Sequence, residues 1–213
     1  VARIHQQGEG IATLPNGDKF KVDNVIYAEP ELVKIFDFSI LSGDLYTTLE
    51  APNQVAISQS LATQFFGTSD PIGQIINLDD KIEVTISSVY KDNPANSSLQ
   101  CQIYVSYESF SSEILGFPTD QWGLSVGGVA FVLLPENENI ATYTKQFPAF
   151  VEKYMGKDEA TETELLFQPY DKVHFEPVIE GMHQVYKNGT AKYVQIPEID
   201  ICGKTGTVEN FAI

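Results

Sequence analysis

Short segments in which apolar and polar residues alternate dominate the first half of the chain. Residues 82–87 and 99–105 each place an apolar side chain at every second position. A period of two is typical of strands that bury one face. The stretch between them, residues 91–98, is rich in Asp, Asn, Pro and Ser and is predicted to form a long loop.

Three further segments have the composition of strands. Residues 75–78 follow a turn that Pro71 and Gly73 predict. Residues 128–134 form a continuous apolar run with β-branched and aromatic members, which favours a central strand. Residues 164–168, before Pro169, are predicted to form the last strand.

Helical spacing of apolar residues separates these strands. Ser58 is predicted to cap a helix that ends at Gly67, and Pro30 suits the first turn of a short helix over residues 31–36. A third helix is predicted over residues 140–155, with Pro148 bending it or dividing it into two. The predicted buried faces are Leu61, Ala62, Phe65 and Phe66 in the first helix; Leu32, Ile35 and Phe36 in the second; and Ile140, Tyr143, Phe147, Phe150, Val151 and Tyr154 in the third.

Strands with interspersed helices but no regular βαβ alternation predict an α+β fold, with a mixed or antiparallel sheet and short packed helices. A length of 213 residues with 43% hydrophobic and 20% charged residues is typical of one large folded domain or two small ones. The net charge of −16 argues against nucleic acid and anionic lipid surfaces as partners. The longest apolar run, within residues 129–134, is far shorter than the roughly 20 residues that a membrane-spanning helix needs.

Four segments, in order, carry a resemblance to a known family. They are Val25–Asp44, residues 53–74 with Phe66-Gly67 and Asp70-Pro71-Ile72-Gly73-Gln74, Val89–Gln100 and Leu166–His174. Together they resemble the MacB-like periplasmic core domain of FtsX-type ABC transporter permeases, over about residues 1–174. Asp44 after Gly43 is expected to end a loop, Gly67 a helix, and Pro71 with Gly73 to set a turn, so these motif residues are interpreted as structural and not as a nucleophile, an acid–base pair or metal ligands.

The resemblance implies an extracytoplasmic, periplasmic domain inserted between two transmembrane helices of an inner-membrane permease. It implies a binding and motion-coupling module with no catalysis and no cofactor of its own. The implied partners are the parent transmembrane helices, a cytoplasmic ATPase subunit or domain, a second permease copy forming a homodimer, and a periplasmic protein or lipoprotein client. An alternative hypothesis from the same resemblance is an interaction domain that descends from a permease and no longer takes part in transport.

The C-terminal segment, residues 175–213, carries a different motif. Residues 189–191 and Ile201-Cys202-Gly203-Lys204-Thr205-Gly206-Thr207 resemble the third-motif region of class B penicillin-binding transpeptidases. The resemblance implies that Lys204, Thr205, Gly206 and Thr207 would line an acylation cleft on a strand edge. A segment this short is predicted not to form an independent domain. The alternative function is therefore a fragment or fusion of a penicillin-binding transpeptidase.

Acylation would also need a Ser-x-x-Lys motif at the start of a helix and a Ser-x-Asn motif. Ser88 and Lys91 fit the first spacing, but they lie at the end of an alternating strand, and no Ser-x-Asn follows. We therefore expect the chain not to be an enzyme.

The remaining candidates are single residues. His5, His174 and His183 lie far apart without partners at metal-ligand spacing, so surface or hydrogen-bonded histidines are predicted. Cys101 and Cys202 are compatible with a disulfide or with two buried thiols, and the lack of any disulfide framework favours unpaired thiols.

Overall fold

The computed structural model describes residues 1–95, 97, 99–111, 114, 128–158, 165 and 167–170. The chain divides into two compact units, Val1–Glu138 and Asn139–Ile213. The boundary near residue 174 and the segment 175–213 lie outside the described residues and stay predictions.

Eight strands and three helices make up the described part of the first unit. The strands are β1 (Ala2–Thr13), β2 (Lys19–Ala28), β3 (Ile40–Ser42), β4 (Gln54–Ser58), β5 (Ile75–Leu78), β6 (Ile82–Tyr90), β7 (Ile103–Ser106) and β8 (Gly128–Phe131). The helices are α1 (Leu32–Ile35), α2 (Leu45–Glu50) and α3 (Gln59–Phe66), with a 3₁₀ turn at Tyr107–Ser109. The second unit contributes α4 (Ile140–Thr144) and α5 (Phe147–Met155).

Six of the strands pair in a closed ring. β1 pairs with β2, β2 with β7, β7 with β4, β4 with β6, β6 with β5, and β5 again with β1. The β2–β7 and β4–β6 pairs are parallel and the others antiparallel, which confirms the predicted mixed sheet. β3 is added to the end of β6, and β8 to the start of β1.

The ring separates two apolar cores. All six ring strands and α3 contribute to the inner core, for example with Val25 and Tyr27 of β2. The neighbouring residues Ile26 and Ala28 belong to an outer core, which α1 and α2 cover with Leu32, Leu45 and Leu49. Because successive side chains of a strand point to opposite faces, β2, β4 and β7 are buried on both sides where the helices cover them.

The residues predicted to cap, end and divide helices do so in the structure. The Ser58 hydroxyl accepts a hydrogen bond from the Leu61 amide at 3.3 Å, and Gly67 ends α3 with a φ of 61°. Pro148 divides the third predicted helix, because it lies in the first turn of α5, where a missing amide hydrogen costs nothing. α1 is shorter than predicted, and only Leu32 in it is buried.

Three of the strand predictions need correction. The strand predicted at 99–105 begins only at Ile103, because Leu99 and Cys101 lie in the preceding loop and reach the outer core from there. Of the run 128–134 only Gly128–Phe131 forms a strand, β8, which lies at an edge of the described sheet next to β1. The described residues within 164–168 have no strand structure.

The helices of the second unit bury fewer apolar side chains than their spacing predicts. Among the described side chains of α4 and α5 only Val151 is buried, whereas Ile140, Phe150 and Tyr154 are exposed. Phe147 packs on Phe167 with 5.0 Å between ring centroids. Spacing alone correctly placed these helices but overestimated how much of their apolar face is covered.

Candidate functional site

The one Ser-x-x-Lys candidate is closed to substrate. Ser88 lies in the interior of β6 with 0% exposure, and its hydroxyl is hydrogen-bonded to that of Thr48 in α2 at 3.1 Å. Gly43 packs directly on Ser87 and Ser88 with a φ of 75°, so closely that a Cβ there would collide with the Ser87 carbonyl. This arrangement fits a structural role for Ser88. Lys204, Thr205, Gly206 and Thr207 lie outside the described residues.

The hydroxyl groups around α2 hold the helix on the sheet. Asp44 caps α2, accepting a hydrogen bond from the Thr47 amide at 2.7 Å, which lowers the pKa of its carboxyl group. The Ser106 hydroxyl of β7 donates to the carbonyl of Leu49 at the other end of α2, at 2.8 Å. Hydrogen bonds from Asp44 and Ser106 thus fix the helix at both ends.

Cys101 is a free and buried thiol. Burial raises the pKa of this thiol, so it stays protonated at neutral pH and is a poor nucleophile. Its carbonyl accepts a hydrogen bond from the hydroxyl of Tyr90 at 2.8 Å, which fixes the loop before β7. Cys202 lies outside the described residues.

The start of β1 is clamped to the end of β2 by Arg3 and Glu29. The Arg3 Nε donates to Glu29 Oε1 at 2.8 Å, and the Arg3 backbone amide donates to Glu29 Oε2 at 2.8 Å. The guanidinium also lies 4.8 Å from the ring centre of Tyr107. Sequence reasoning missed this cluster, because nothing local links charges 26 positions apart.

Arg3 and Glu29 each shift the pKa of the other toward its charged form. The hydrogen bond with Glu29 raises the pKa of Arg3. Burial works against ionisation of Glu29, yet its hydrogen bonds with Arg3 outweigh burial and lower the pKa of this carboxyl group. Both groups are therefore charged at neutral pH, and the charge-assisted bonds are of the stronger kind.

His5 follows Arg3 by two positions in β1, and its ring packs against the aromatic rings of Tyr27 and Phe110. It is 8% exposed, and its ring centre is 4.4 Å from that of Phe110. Burial lowers the pKa of the imidazole, which favours the neutral ring. His5 is thus a packed histidine, as the sequence predicted for the three histidines together; His174 and His183 lie outside the described residues.

Asp79, in the turn between β5 and β6, connects this turn to β1. Asp79 donates its amide to the Ile11 carbonyl at 2.8 Å and accepts the Ile11 amide on its carboxylate at 2.7 Å. It also accepts from the Gln7 side chain. Asp79 therefore closes the irregular stretch of β1 around Gly8 and Gly10, whereas Asp80 is exposed as expected of a solvated turn.

Described residues of the first unit border at least two concavities. One, of about 550 Å³, lies beside the β1–β2 ribbon, where Lys21 and Glu9 form an ion pair at 2.7 Å. The other, of about 520 Å³, is bordered by Lys81, Glu108 and Ser109. Within the described residues no group of three or more His, Cys, Asp or Glu side chains is arranged to hold a metal ion. No helix in this part of the chain is long and apolar enough to span a membrane.

The comparisons with solved structures identify the same fold in three proteins. A domain of a putative permease from Porphyromonas gingivalis superposes with a TM-score of 0.60 at 21% identity, over 72% of this chain and 64% of that one. The periplasmic region of MacB from Actinobacillus actinomycetemcomitans gives a TM-score of 0.52 at 18% identity, over 73% of this chain and 67% of that one. The extracellular domain of the noncanonical ABC-type transporter YknZ from Gram-positive bacteria gives 0.51 at 13% identity, over 74% and 78%.

No curated protein matches this sequence. The sequence profile of the MacB-like periplasmic core domain matches residues 1–150, which is more than two thirds of the chain. The match spans the whole strand ring, the Arg3–Glu29 clamp and α4, and it ends within α5. This chain belongs to the family of MacB-like periplasmic core domains.

Proposed function

We propose that this chain is the extracytoplasmic part of an ABC transporter permease and serves as a binding and motion-coupling module without catalysis of its own. Its partners are the transmembrane helices of the parent protein, a cytoplasmic ATPase, a second permease copy and a periplasmic protein or lipoprotein client. The observation that carries the proposal is the family match over residues 1–150. The fold shared with permease and transporter domains supports it.

The construction of the first unit suits a body that transmits displacement. A ring of hydrogen-bonded strands, packed on both faces, deforms little because close-packed interiors resist compression. The Arg3–Glu29 clamp joins the first residues of β1 to the end of β2. A pull on the start of β1 is thereby shared with β2 and with the covering helix α1.

A transporter chimera tests the proposal. The full chain would replace the periplasmic domain of a MacB-type transporter in proteoliposomes, and substrate-dependent ATP hydrolysis would be measured. We expect part of the coupling lost on deleting the domain to return. A folded, membrane-inserted chimera that hydrolyses ATP no differently from the deletion would overturn the proposal.

A pair of variants locates the coupling element. We expect Arg3→Ala to reduce substrate-dependent hydrolysis in the chimera, because it removes the clamp. Lys157→Ala removes an equal charge at an 85% exposed side chain and is expected to leave hydrolysis unchanged. Equal effects of the two variants would remove the clamp from the coupling path.

The alternative, a penicillin-binding transpeptidase fragment, has a direct test. It is motivated by the Lys204-Thr205-Gly206-Thr207 motif, and the burial of Ser88 argues against it. We expect no covalent labelling of the full chain by a fluorescent penicillin. Labelling that disappears in Ser88→Ala would instead establish an acylating enzyme.

A further inference from the structure

The two concavities described above differ in how far their polar groups already have partners. Beside the β1–β2 ribbon, Lys21 pairs with Glu9 at 2.7 Å. Lys19, on the same ribbon, pairs with Asp80 at 3.1 Å. The Asp79 carboxylate accepts a backbone amide of β1 at 2.7 Å. Because these groups satisfy one another, the ribbon concavity does not point to a particular ligand.

The second concavity, of about 520 Å³, carries two opposite charges that are not paired. Lys81 and Glu108 border it, both are exposed, and neither has an ion pair within the described residues. The Lys81 ammonium group donates to the Ile114 carbonyl at 3.0 Å and has further hydrogens to donate. The charge of Glu108 acts on Arg3, but the Arg3 side chain is hydrogen-bonded to Glu29. We call this site the Lys81–Glu108 concavity.

Uncharged groups at the Lys81–Glu108 concavity also have hydrogen-bonding capacity left. Ser109 is only 7% exposed, and its hydroxyl accepts the Asn53 amide at 2.7 Å but donates no hydrogen bond within the described part of the chain. In the same part, the Asn53 carboxamide and the Ser111 hydroxyl make no hydrogen bond. Buried polar groups are normally hydrogen-bonded, so the Ser109 hydroxyl indicates an acceptor that the described residues do not supply.

Hydrogen bonds to the backbone hold the walls of this concavity in place. Asn53 has a left-handed backbone with a φ of 59°. Its amide is bonded to Ser109, and its carbonyl accepts the Thr85 amide at 2.9 Å. The Glu108 amide donates to the Ser106 hydroxyl at 3.3 Å, which fixes the start of the 3₁₀ turn. A ligand therefore has little of the protein to order when it binds, which favours affinity.

We propose that the Lys81–Glu108 concavity binds a small zwitterion, an amino acid or short peptide, with its carboxylate at Lys81 and its ammonium group at Glu108. Opposite charges that are unpaired at one concavity complement a ligand that carries both. Asn53, Ser109 and Ser111 hydrogen-bond the polar groups between the two charges of the ligand. A volume of about 520 Å³ is in the usual range of small-molecule sites. The inference goes beyond the proposed function and does not depend on it.

Dipeptide probes test the two charges on the full chain. Diglycine carries both charges, acetyl-diglycine lacks the ammonium group, and diglycine amide lacks the carboxylate. We expect diglycine to bind at least about tenfold more tightly than either of the other two at low salt, and this difference to shrink as salt rises. In an NMR titration the amide resonances of residues 53, 81–82 and 108–111 should shift, whereas those of residues 9–11 and 19–21 at the ribbon concavity should not.

Variants matched to the probes assign each charge. Lys81→Met should weaken binding of diglycine about tenfold or more and leave binding of diglycine amide unchanged, because that probe has no carboxylate. Glu108→Gln should weaken binding of diglycine similarly and leave binding of acetyl-diglycine unchanged. Lys91→Met and Glu136→Gln remove the same charges at exposed positions that do not border the concavity, and should change none of these affinities. Circular dichroism checks that all four variants fold.

Several outcomes contradict the inference. No binding of diglycine up to about 10 mM, equal binding of the probes, or shifts confined to other residues would each overturn it. Equal effects of Lys81→Met and Lys91→Met would remove Lys81 from the site. Phosphoethanolamine carries the same pair of charges on a phosphate, and its tighter binding would overturn the assignment to amino acids and peptides. Since the titration does not involve ATP hydrolysis, its failure leaves the chimera result, and with it the proposed function, untouched.

Discussion

The inner and outer cores of the strand ring are built on different principles. The buried tyrosine of the inner core, Tyr27, makes no side-chain hydrogen bond within the described residues. The outer core contains or adjoins buried hydrogen bonds from Tyr90, Ser106 and Thr48. The inner core supplies burial energy, whereas the outer hydrogen bonds fix which helix and which loop cover the sheet.

Truncation inside the ring is expected to have the largest effect. Ile57→Ala removes a fully buried side chain surrounded by paired strands, so we expect a loss of about 2–5 kcal/mol in the free energy of unfolding. Ile57→Val should cost only about 0.5–1.5 kcal/mol. Urea unfolding measures both.

The outer core provides the comparison for that truncation. Leu49→Ala leaves its cavity under α2, which can shift toward the sheet, so its cost should fall below that of Ile57→Ala. A larger loss for Leu49→Ala would mean that the ring relaxes more easily than the helix layer.

Removing the hydroxyl group is expected to affect two of the buried tyrosines, Tyr90 and Tyr27, differently. Tyr90→Phe leaves the buried Cys101 carbonyl without its donor, and we expect it to cost about 1–3 kcal/mol. Tyr27→Phe removes no hydrogen bond within the described residues and should cost clearly less. Equal losses from the two variants would contradict the division of labour between the cores.

Ser88→Ala is expected to have a smaller effect. It removes the hydrogen bond with Thr48, whose hydroxyl keeps the Asp44 carbonyl at 2.7 Å as a partner. We expect a loss of about 0.5–1.5 kcal/mol in unfolding free energy. Thermal unfolding measures it, and a loss as large as that of Ile57→Ala would show that the hydroxyl pair organises the whole interface.

The smallest predicted effect depends on pH. Burial holds the pKa of His5 below its ordinary value, so the unfolded chain binds more protons once the pH falls below the unfolded pKa of about 6.5. The free energy of unfolding should therefore decrease as pH falls through that value, down to the lower folded pKa. Urea titrations at neutral and mildly acidic pH should show a shallower decrease for His5→Phe, and identical slopes would contradict this assignment.

Local signals predicted much of the secondary structure correctly. The helix between Ser58 and Gly67, the strand at 82–87 and the division at Pro148 each depend on residues within a few positions of one another. β1, β2, β4 and α2 were not predicted from the pattern. Partly polar exposed positions interrupt β1 and β2, and α2 is only six residues long.

The candidate site was less accessible to sequence reasoning. The Arg3–Glu29 clamp joins residues 26 positions apart, and Asp79 closes an irregularity in β1 from 68 positions away. The apolar run at 128–134 predicted a strand but not its position, because an apolar segment reads the same at a centre and at an edge. Only the pairing with β1, more than 120 positions earlier in the sequence, decides between them.

The sequence by itself determined the fold class, the family, the acidic charge and the strand that holds Ser88, because composition, caps and short-range periodicity are properties of neighbouring residues. The tertiary structure alone decided that the strands close into a ring, that Ser88 is buried beneath Gly43 and α2, and that β8 pairs with the start of β1. These features depend on hydrogen-bond pairing between distant strands, and such pairing leaves no local pattern in the chain.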